Sequence, residues 1–246
     1  MTRWGWLTAI LATGALYLIY SGMLKNAFKK GLESAGPRVA GVATRVDDVK
    51  LSPLSGRGEV LGVFVGSPEG FRAASVIEIG RVSIEVRAST LLSEKVVIRS
   101  VRIEEMEVTY ERRISGSNLS KILETIEETL GTGRERSSGG EPRRLRVDEF
   151  VIQGGRVRLG LTALGGKGAV RELPAIRLVD LGVEGEGITP GELADRVLRE
   201  IVRETAGLVG EAALGVGGAV REAGDKLSGA KDRLDRAFGR DQASGR

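Results

Sequence analysis

The sequence predicts an α+β protein: an N-terminal transmembrane helix, an antiparallel sheet with packed helices, and a C-terminal amphipathic helix. Three observations carry this. A 21-residue uncharged run, Trp4–Leu24, opens the chain. Apolar residues then alternate with period two, first between Val39 and Tyr110 and again from Leu145 to Val183. Two stretches, Leu119–Leu130 and the segment after Thr189, repeat apolar residues at steps of three and four. Alternation marks strands with one wet face, and three/four spacing marks a helix with one apolar stripe.

The N-terminal run has the length that a helix needs to cross a bilayer core of about 30 Å. Trp4 and Trp6 stand at one end, Tyr17 and Tyr20 toward the other, where interfacial aromatics belong. With Leu11, Leu16, Leu18 and Ile19 they form the expected anchor, residues 1–24. The competing reading is a cleaved signal peptide, whose apolar core runs about 7–15 residues and ends in a small-x-small site. Ala12-Thr13-Gly14 and Thr13-Gly14-Ala15 fit that pattern loosely, but lie mid-run. Arg3 faces Lys25, Lys29 and Lys30 across the run, so the positive-inside count alone places the body in the cytoplasm.

Residues 25–188 are expected to form the β-rich body. Val46–Leu51 and Glu59–Val65 pair around the turn cluster Ser52–Gly58. Ser67-Pro68-Glu69-Gly70 has Pro second and Gly fourth, which predicts a type I turn. Val76–Arg87, Val96–Ile103 and Met106–Tyr110 follow as strands, with Arg81, Glu85, Arg87, Arg102 and Glu107 on the wet side. That pattern predicts an antiparallel sheet solvated on one face. A helix is expected at about 117–130, capped by Ser117 or Asn118. A polar, mobile linker is expected at 131–144. Leu145–Ile152 and Arg156–Leu161 are expected to form a hairpin about Gly154-Gly155, and Ala175–Val183 is the last strand.

The C-terminal segment, 189–246, begins at a capping box. Thr189 is the N-cap, Pro190 takes the first helical position and Glu192 stands three residues on. The helix is expected to run to about Val202. A seven-residue spacing of Ala, Val and Leu continues to Ala237. Gly207, Gly210, Gly215, Gly217, Gly218 and Gly224 each cost about 1 kcal/mol of helix, so an interruption after Val202 is expected. A solvated tail, an amphipathic helix lying on lipid and a self-association seam all remain open for this stretch.

The chemistry available is narrow. The 246 residues include no His and no Cys, which excludes disulfides, Cys- or His-ligated metals and Ser-His-Asp or Cys-His catalysis. Gly160–Lys167 looks like a phosphate loop, but Gly166 and Gly168 occupy the Lys and Ser/Thr positions that the motif needs. Asp47-Asp48 and Glu104-Glu105 are adjacent carboxylates, which a strand points to opposite faces. Asn118-Leu119-Ser120 is a glycosylation sequon at a helix start. Arg112-Arg113 and Arg143-Arg144 read as solvated turns or as contacts to anionic headgroups. The net charge of +4 without interleaved aromatics argues against nucleic acid. No catalytic residue, cofactor or metal ligand is expected, and the chain is read as non-enzymatic.

A group of short motifs resembles the small AsmA-like proteins of the bacterial envelope. Gly58–Phe71 resembles that family's strand followed by "NPEGF", with Ser67 in place of the usual Asn. Leu91–Lys95 is similar to its corner, Val108–Glu111 to its strand end, and Gly116-Ser117-Asn118-Leu119 to its helix start. Leu145–Leu159 resembles its later hairpin, so that the likeness spans about Met1–Leu198. What the resemblance implies is a single-pass inner-membrane anchor and a body in the periplasm, opposite to the literal charge count. It also implies a curved sheet related to the repeating β-groove of lipid-transfer proteins and a role in envelope homeostasis. Two functions are then in view. One is a tethered module that binds or helps transfer membrane lipid on an apolar sheet face, with Val82, Ile84, Val86, Val101, Ile103 and Val108 pointing inward. The other is a scaffold that joins envelope proteins, or copies of itself, through the C-terminal heptads.

Overall fold

A computed structural model describes residues 22–132, 143–160 and 169–210. Contacts divide the chain into one compact unit, Met1–Thr205, and a second, Ala206–Arg246, of which only residues 206–210 are described. The fold is α+β. Helix α1 covers 22–35 and runs into a π-helical turn, Gly36–Ala40. Strands β1 (Thr44–Ser52), β2 (Arg57–Gly66), β3 (Ser75–Val86) and β4 (Lys95–Arg113) follow. After β5 (Gly116–Ser117) comes α2 (Asn118–Gly131). Then come β6 (Arg144–Gln153), β7 (Gly155–Gly160), β8 (Ala169–Leu173) and β9 (Ile176–Leu181). Helix α3 covers 190–210. No helix among the described residues is long and apolar enough to cross a membrane. The anchor residues Trp4, Trp6, Leu11, Leu16, Tyr17, Leu18, Ile19 and Tyr20 lie outside the described residues.

The sheet departs from the expected antiparallel arrangement at its centre. β1 to β4 pair antiparallel in sequence order, but β4 pairs with β6 and β7 in parallel. A parallel pair needs a crossover, and the segment containing α2 supplies it. The hairpin expected at Gly154-Gly155 is absent. β6 and β7 continue in one line beside the 19-residue β4, Lys95 opposite Arg144 and Glu111 opposite Gly160, the same offset of 49 throughout. Gly154, at φ 63, kinks the line without reversing it. A Gly-Gly step permits either outcome locally, and here a long neighbouring strand offers partners on both sides of the kink. The chain reverses between Gly160 and Ala169 instead, and β8 and β9 form the outer line, antiparallel to β7 and β6.

A crease crosses all six lines at one level. Inward residues are three apart there rather than two: Val46/Val49, Val60/Val63, Ile79/Val82, Ile103/Met106, Ile152/Gly155 and Leu173/Ile176. Each strand has gained one residue at the same row, so pairing stays in step across it, Val46 with Val63 and then Asp48 with Leu61. Asp47, Gly62, Gly80, Glu105, Gly154 and Pro174 fill this row, and Gly62 and Glu105 have φ of 61 and 57. One such insertion bends a strand; a row of them in register bends the sheet along a line.

The helices pack against the apolar face. Leu32 of α1 packs against the buried cluster Val46, Val49 and Val60, as do Leu51, Val63, Val82 and Ile84 of the sheet. Beyond the crease Met106, Val108, Val157 and Leu159 are fully buried, while Glu107 and Arg158 pair at 2.6 Å on the opposite, wet face. α2 contributes Leu119, Ile122 and Ile126 to the core, and α3 contributes Leu198 and Ile201. Ser117 caps α2, accepting from Ser120 N at 3.0 Å. The capping box of α3 is present, Glu192 N donating to Thr189 Oγ1 at 3.1 Å and Thr189 N donating to Glu192 Oε2 at 2.8 Å.

Three further expectations change. The helix does not stop at Val202 but continues through Gly207 to residue 210. Burial of Leu198, Ile201 and Thr205 anchors the preceding turns against the propensity cost of the glycines. The turn at Pro68 lies one residue later than expected, Phe71 N donating to Pro68 O at 3.3 Å with Gly70 at φ 90, the type II geometry. Arg144, placed in the linker, opens β6; residues 133–142 of that linker and 211–246 of the C-terminal segment lie outside the described residues.

Candidate functional site

The candidate site is the apolar face between the crease and the turns at the far end of β1–β4. Alternation in β3 puts Val82, Ile84 and Val86 on that face. Val82 pairs with Ile103, Ile84 with Val101, and Val86 with Ile98. Val101 continues to Phe150 and Ile103 to Ile152 in β6. Five of the six residues expected to point inward therefore form one patch. The sixth, Val108, lies across the crease, fully buried between Ile77 and Val157. Val101 and Ile103 are buried as well, whereas Val82, Ile84 and Val86 are only half-buried. Leu51, Ile98 and Leu178 are half-buried too. Beyond the crease the same gradient holds, with Val63, Val65 and Ile79 half-buried and Met106, Val108, Val157 and Leu159 buried, so β2 and β3 carry the partly open part of the face.

Helix α1 is held over this face by three polar contacts along β1. Lys25 Nζ bonds Asp48 Oδ1 at 2.5 Å, Lys29 Nζ donates to Asp47 O at 3.1 Å, and Val46 N donates to Glu33 Oε1 at 3.2 Å. As the helix advances from 25 to 33 its partners step back from 48 to 46, so α1 runs antiparallel to β1. The Lys25 ammonium, then the Val49 amide, hold the Asp48 carboxyl below its ordinary range. Both members of this pair are exposed, so it contributes little to stability and the Leu32 contact is the firmer hold.

The crease explains where the carboxylate pairs went. The Asp47 side chain lies across Gly62, and a Cβ at that glycine would come within 2.8 Å of Asp47 Cβ. Glu105 lies across Gly80 in the same way, with its Cβ 2.8 Å from where a side chain would begin. Glu104 turns elsewhere and accepts from Gln153 Nε2 at 3.1 Å. Neither pair converges on a common point, so neither has the geometry of an acid/base couple. Among the described residues no group of three or more carboxylates is placed to hold a metal ion. The phosphate-loop lookalike at 161–168 lies outside the described residues.

Two polar devices fix the opposite end of the sheet, beyond the crease. Asn118 is fully buried; its Nδ2 donates to Thr109 O at 2.6 Å and its Oδ1 accepts from Glu111 N at 3.0 Å. A side chain so enclosed is closed to a glycan in the folded chain, whatever its sequon. Glu111 Oε2 accepts from Arg72 N at 2.8 Å and Ala73 N at 3.0 Å, tying the β2–β3 loop to β4. Desolvation is the largest influence on this carboxyl and pushes its pKa up. The two amides, together with Arg113, outweigh it and hold the value below the usual 4.5.

The inward residues are legible in the sequence and the crease is not. Its signal was present as a recurrent three-residue apolar spacing, coincident with Gly62, Gly80, Gly154 and Pro174, in strands that had not yet been aligned. No protein-family model matches the chain, and no curated protein matches it.

Proposed function

We propose that this is a non-catalytic, membrane-tethered module of the bacterial envelope, held in the inner membrane by residues 1–24 with its body in the periplasm, that binds or helps transfer lipid on its apolar sheet face. The observation that carries the reading is the uneven cover of that face. Val82, Ile84 and Val86 on β3 lie half open, while Val101 and Ile103 beside them on β4, and Phe150 and Ile152 on β6, are buried. An acyl chain needs apolar area and shape, about 0.8 kcal/mol per methylene removed from water, and needs no reacting groups. A chain leaving a bilayer is already out of water, so such a face exchanges lipid near equilibrium rather than trapping it. A sheet bent along the crease gives the face the groove-like curvature that this role requires. Envelope proteins, or a second copy meeting it through the C-terminal heptads, are the other partners the sequence suggests.

Native mass spectrometry of the full chain extracted in mild detergent tests this. Phospholipid adducts are expected, and they should fall several-fold in an Ile84→Gln variant whose circular dichroism matches the parent. Adduct-free protein, or adducts indifferent to Ile84→Gln, would overturn the reading.

A further inference from the structure

The turns at the open end of the apolar face carry the clearest unexplained surface. Leu54 is 84% exposed in the β1–β2 turn and Leu92 is 94% exposed in the β3–β4 loop. These turns lie side by side, since Val86 N donates to Gly56 O at 2.7 Å. Single exposed leucines are ordinary, but two on touching loops at one end of a sheet form a pair of apolar tips. Exposed Arg57 and Arg87 flank them. Arg143 joins them, its Nη1 donating to Leu91 O at 2.7 Å, and Lys95 Nζ donates to Gly185 O at 2.9 Å. Glu94, Glu184 and Glu186 border the same end, so the basic excess is modest and the leucines are its main feature.

The direction of α1 says what these tips face. Because α1 runs antiparallel to β1, the chain enters α1 from the end of the sheet that bears Leu54 and Leu92. The first described residue of α1, Gly22, therefore lies on that side. Lys25 sits level with Asp48. β1 continues four residues past Asp48 to Ser52, about 13 Å at roughly 3.3 Å per residue. Headgroup layers are about 5–8 Å deep on each side of the hydrocarbon core, so the tips have reach to spare. Ile114, also strongly exposed, sits in the turn after β4, at the opposite end of the sheet.

We propose that the β1–β2 and β3–β4 turns dock on a phospholipid surface, Leu54 and Leu92 entering it and Arg57, Arg87 and Arg143 resting among the phosphates. This docking presupposes the membrane tether proposed above. It stands the sheet on the bilayer with the half-open part of the apolar face next to the lipid, so that an acyl chain enters from the tips along Val86, Ile84 and Val82.

The absence of cysteine makes a single introduced thiol unique. Full-length Leu54→Cys, Leu92→Cys and Ile114→Cys proteins would carry an environment-sensitive dye in nanodiscs of phosphatidylethanolamine and phosphatidylglycerol. The expected result is a blue-shifted emission at 54 and 92, quenched at least threefold more by spin-labelled lipid than at 114. Protein that enters the nanodiscs with all three dyes equally wet overturns the docking and leaves the tether standing. Protein that neither enters nanodiscs nor floats with vesicles of the same lipids overturns both. A shift at 54 and 92 that persists in lipid-free detergent and grows with protein concentration means a second copy, and also overturns the docking.

Discussion

Replacing Gly62 by Ala is the sharpest probe of the crease. Gly62 has φ 61, where a residue with a side chain pays about 1–2 kcal/mol. Its new methyl would also stand 2.8 Å from Asp47 Cβ, an atom fixed to the β1 backbone that cannot swing aside. Crowding of this kind costs about 1–3 kcal/mol. The loss of chain entropy in the unfolded state returns only about 0.4–1 kcal/mol. The net expectation is a loss of about 2–4 kcal/mol, or a fall in Tm of about 10 °C for a chain of this size. Urea and thermal unfolding of the full chain in detergent measure it. Gly131→Ala is the control: no atom lies within 4 Å of its would-be methyl and its φ is not positive, so that variant should be neutral or slightly more stable. A cycle with Asp47→Gly should recover about 1 kcal/mol by clearing the crowding while leaving the φ cost. A Gly62→Ala protein as stable as the parent, or a cycle without coupling, would refute the in-register crease.

Three further outcomes follow from the same geometry. Asn118→Ala should cost about 2–4 kcal/mol in urea unfolding, because it removes a fully buried side chain that bonds the half-buried Thr109 carbonyl and Glu111 amide. Ile152→Ala, fully buried between Ile103 and Ile176, should cost about 2–5 kcal/mol, whereas Val179→Ala on the exposed side of β9 should cost under about 0.5 kcal/mol. Glu111 has a folded pKa below its unfolded value, so its contribution is fully present above pH 4.5 and is lost as pH falls through the lower, folded value. Stability measured from pH 6 down to pH 3 should therefore fall less steeply in Glu111→Gln than in the parent, and the Gln protein should be the less stable at pH 6.

Much of the fold was legible because β-branched alternation is a strong local signal. Val82, Ile84 and Val86 read as one face and are one face. The caps at Ser117 and Thr189 were equally local, each a side chain meeting an amide three residues away. What was not legible depended on partners distant in sequence. Gly154-Gly155 reads as a reversal until β4 is known to run past both sides of it. The parallel pairing of β4 with β6 rests on an offset of 49 residues, which no window of ten reveals. The crease is the plainest case. Each strand alone shows only a stray three-residue spacing, and six of them matter only when lined up. The partial cover of the candidate site was hidden for the same reason, since the contact of Leu32 in α1 with Val46, Val49 and Val60 joins separate elements.

Occupation of the half-open part of the sheet by acyl chains decides the proposed function. The direct measurement is photocrosslinking of the full chain in nanodiscs with a phospholipid bearing a photoreactive group at the end of its acyl chain, with adducts mapped by peptide mass spectrometry. Adducts on the β3 peptide containing Val82, Ile84 and Val86, and none on the β7 peptide containing Val157 and Leu159, are predicted. Adducts confined to the N-terminal apolar run, with the β3 peptide unmodified, would contradict it.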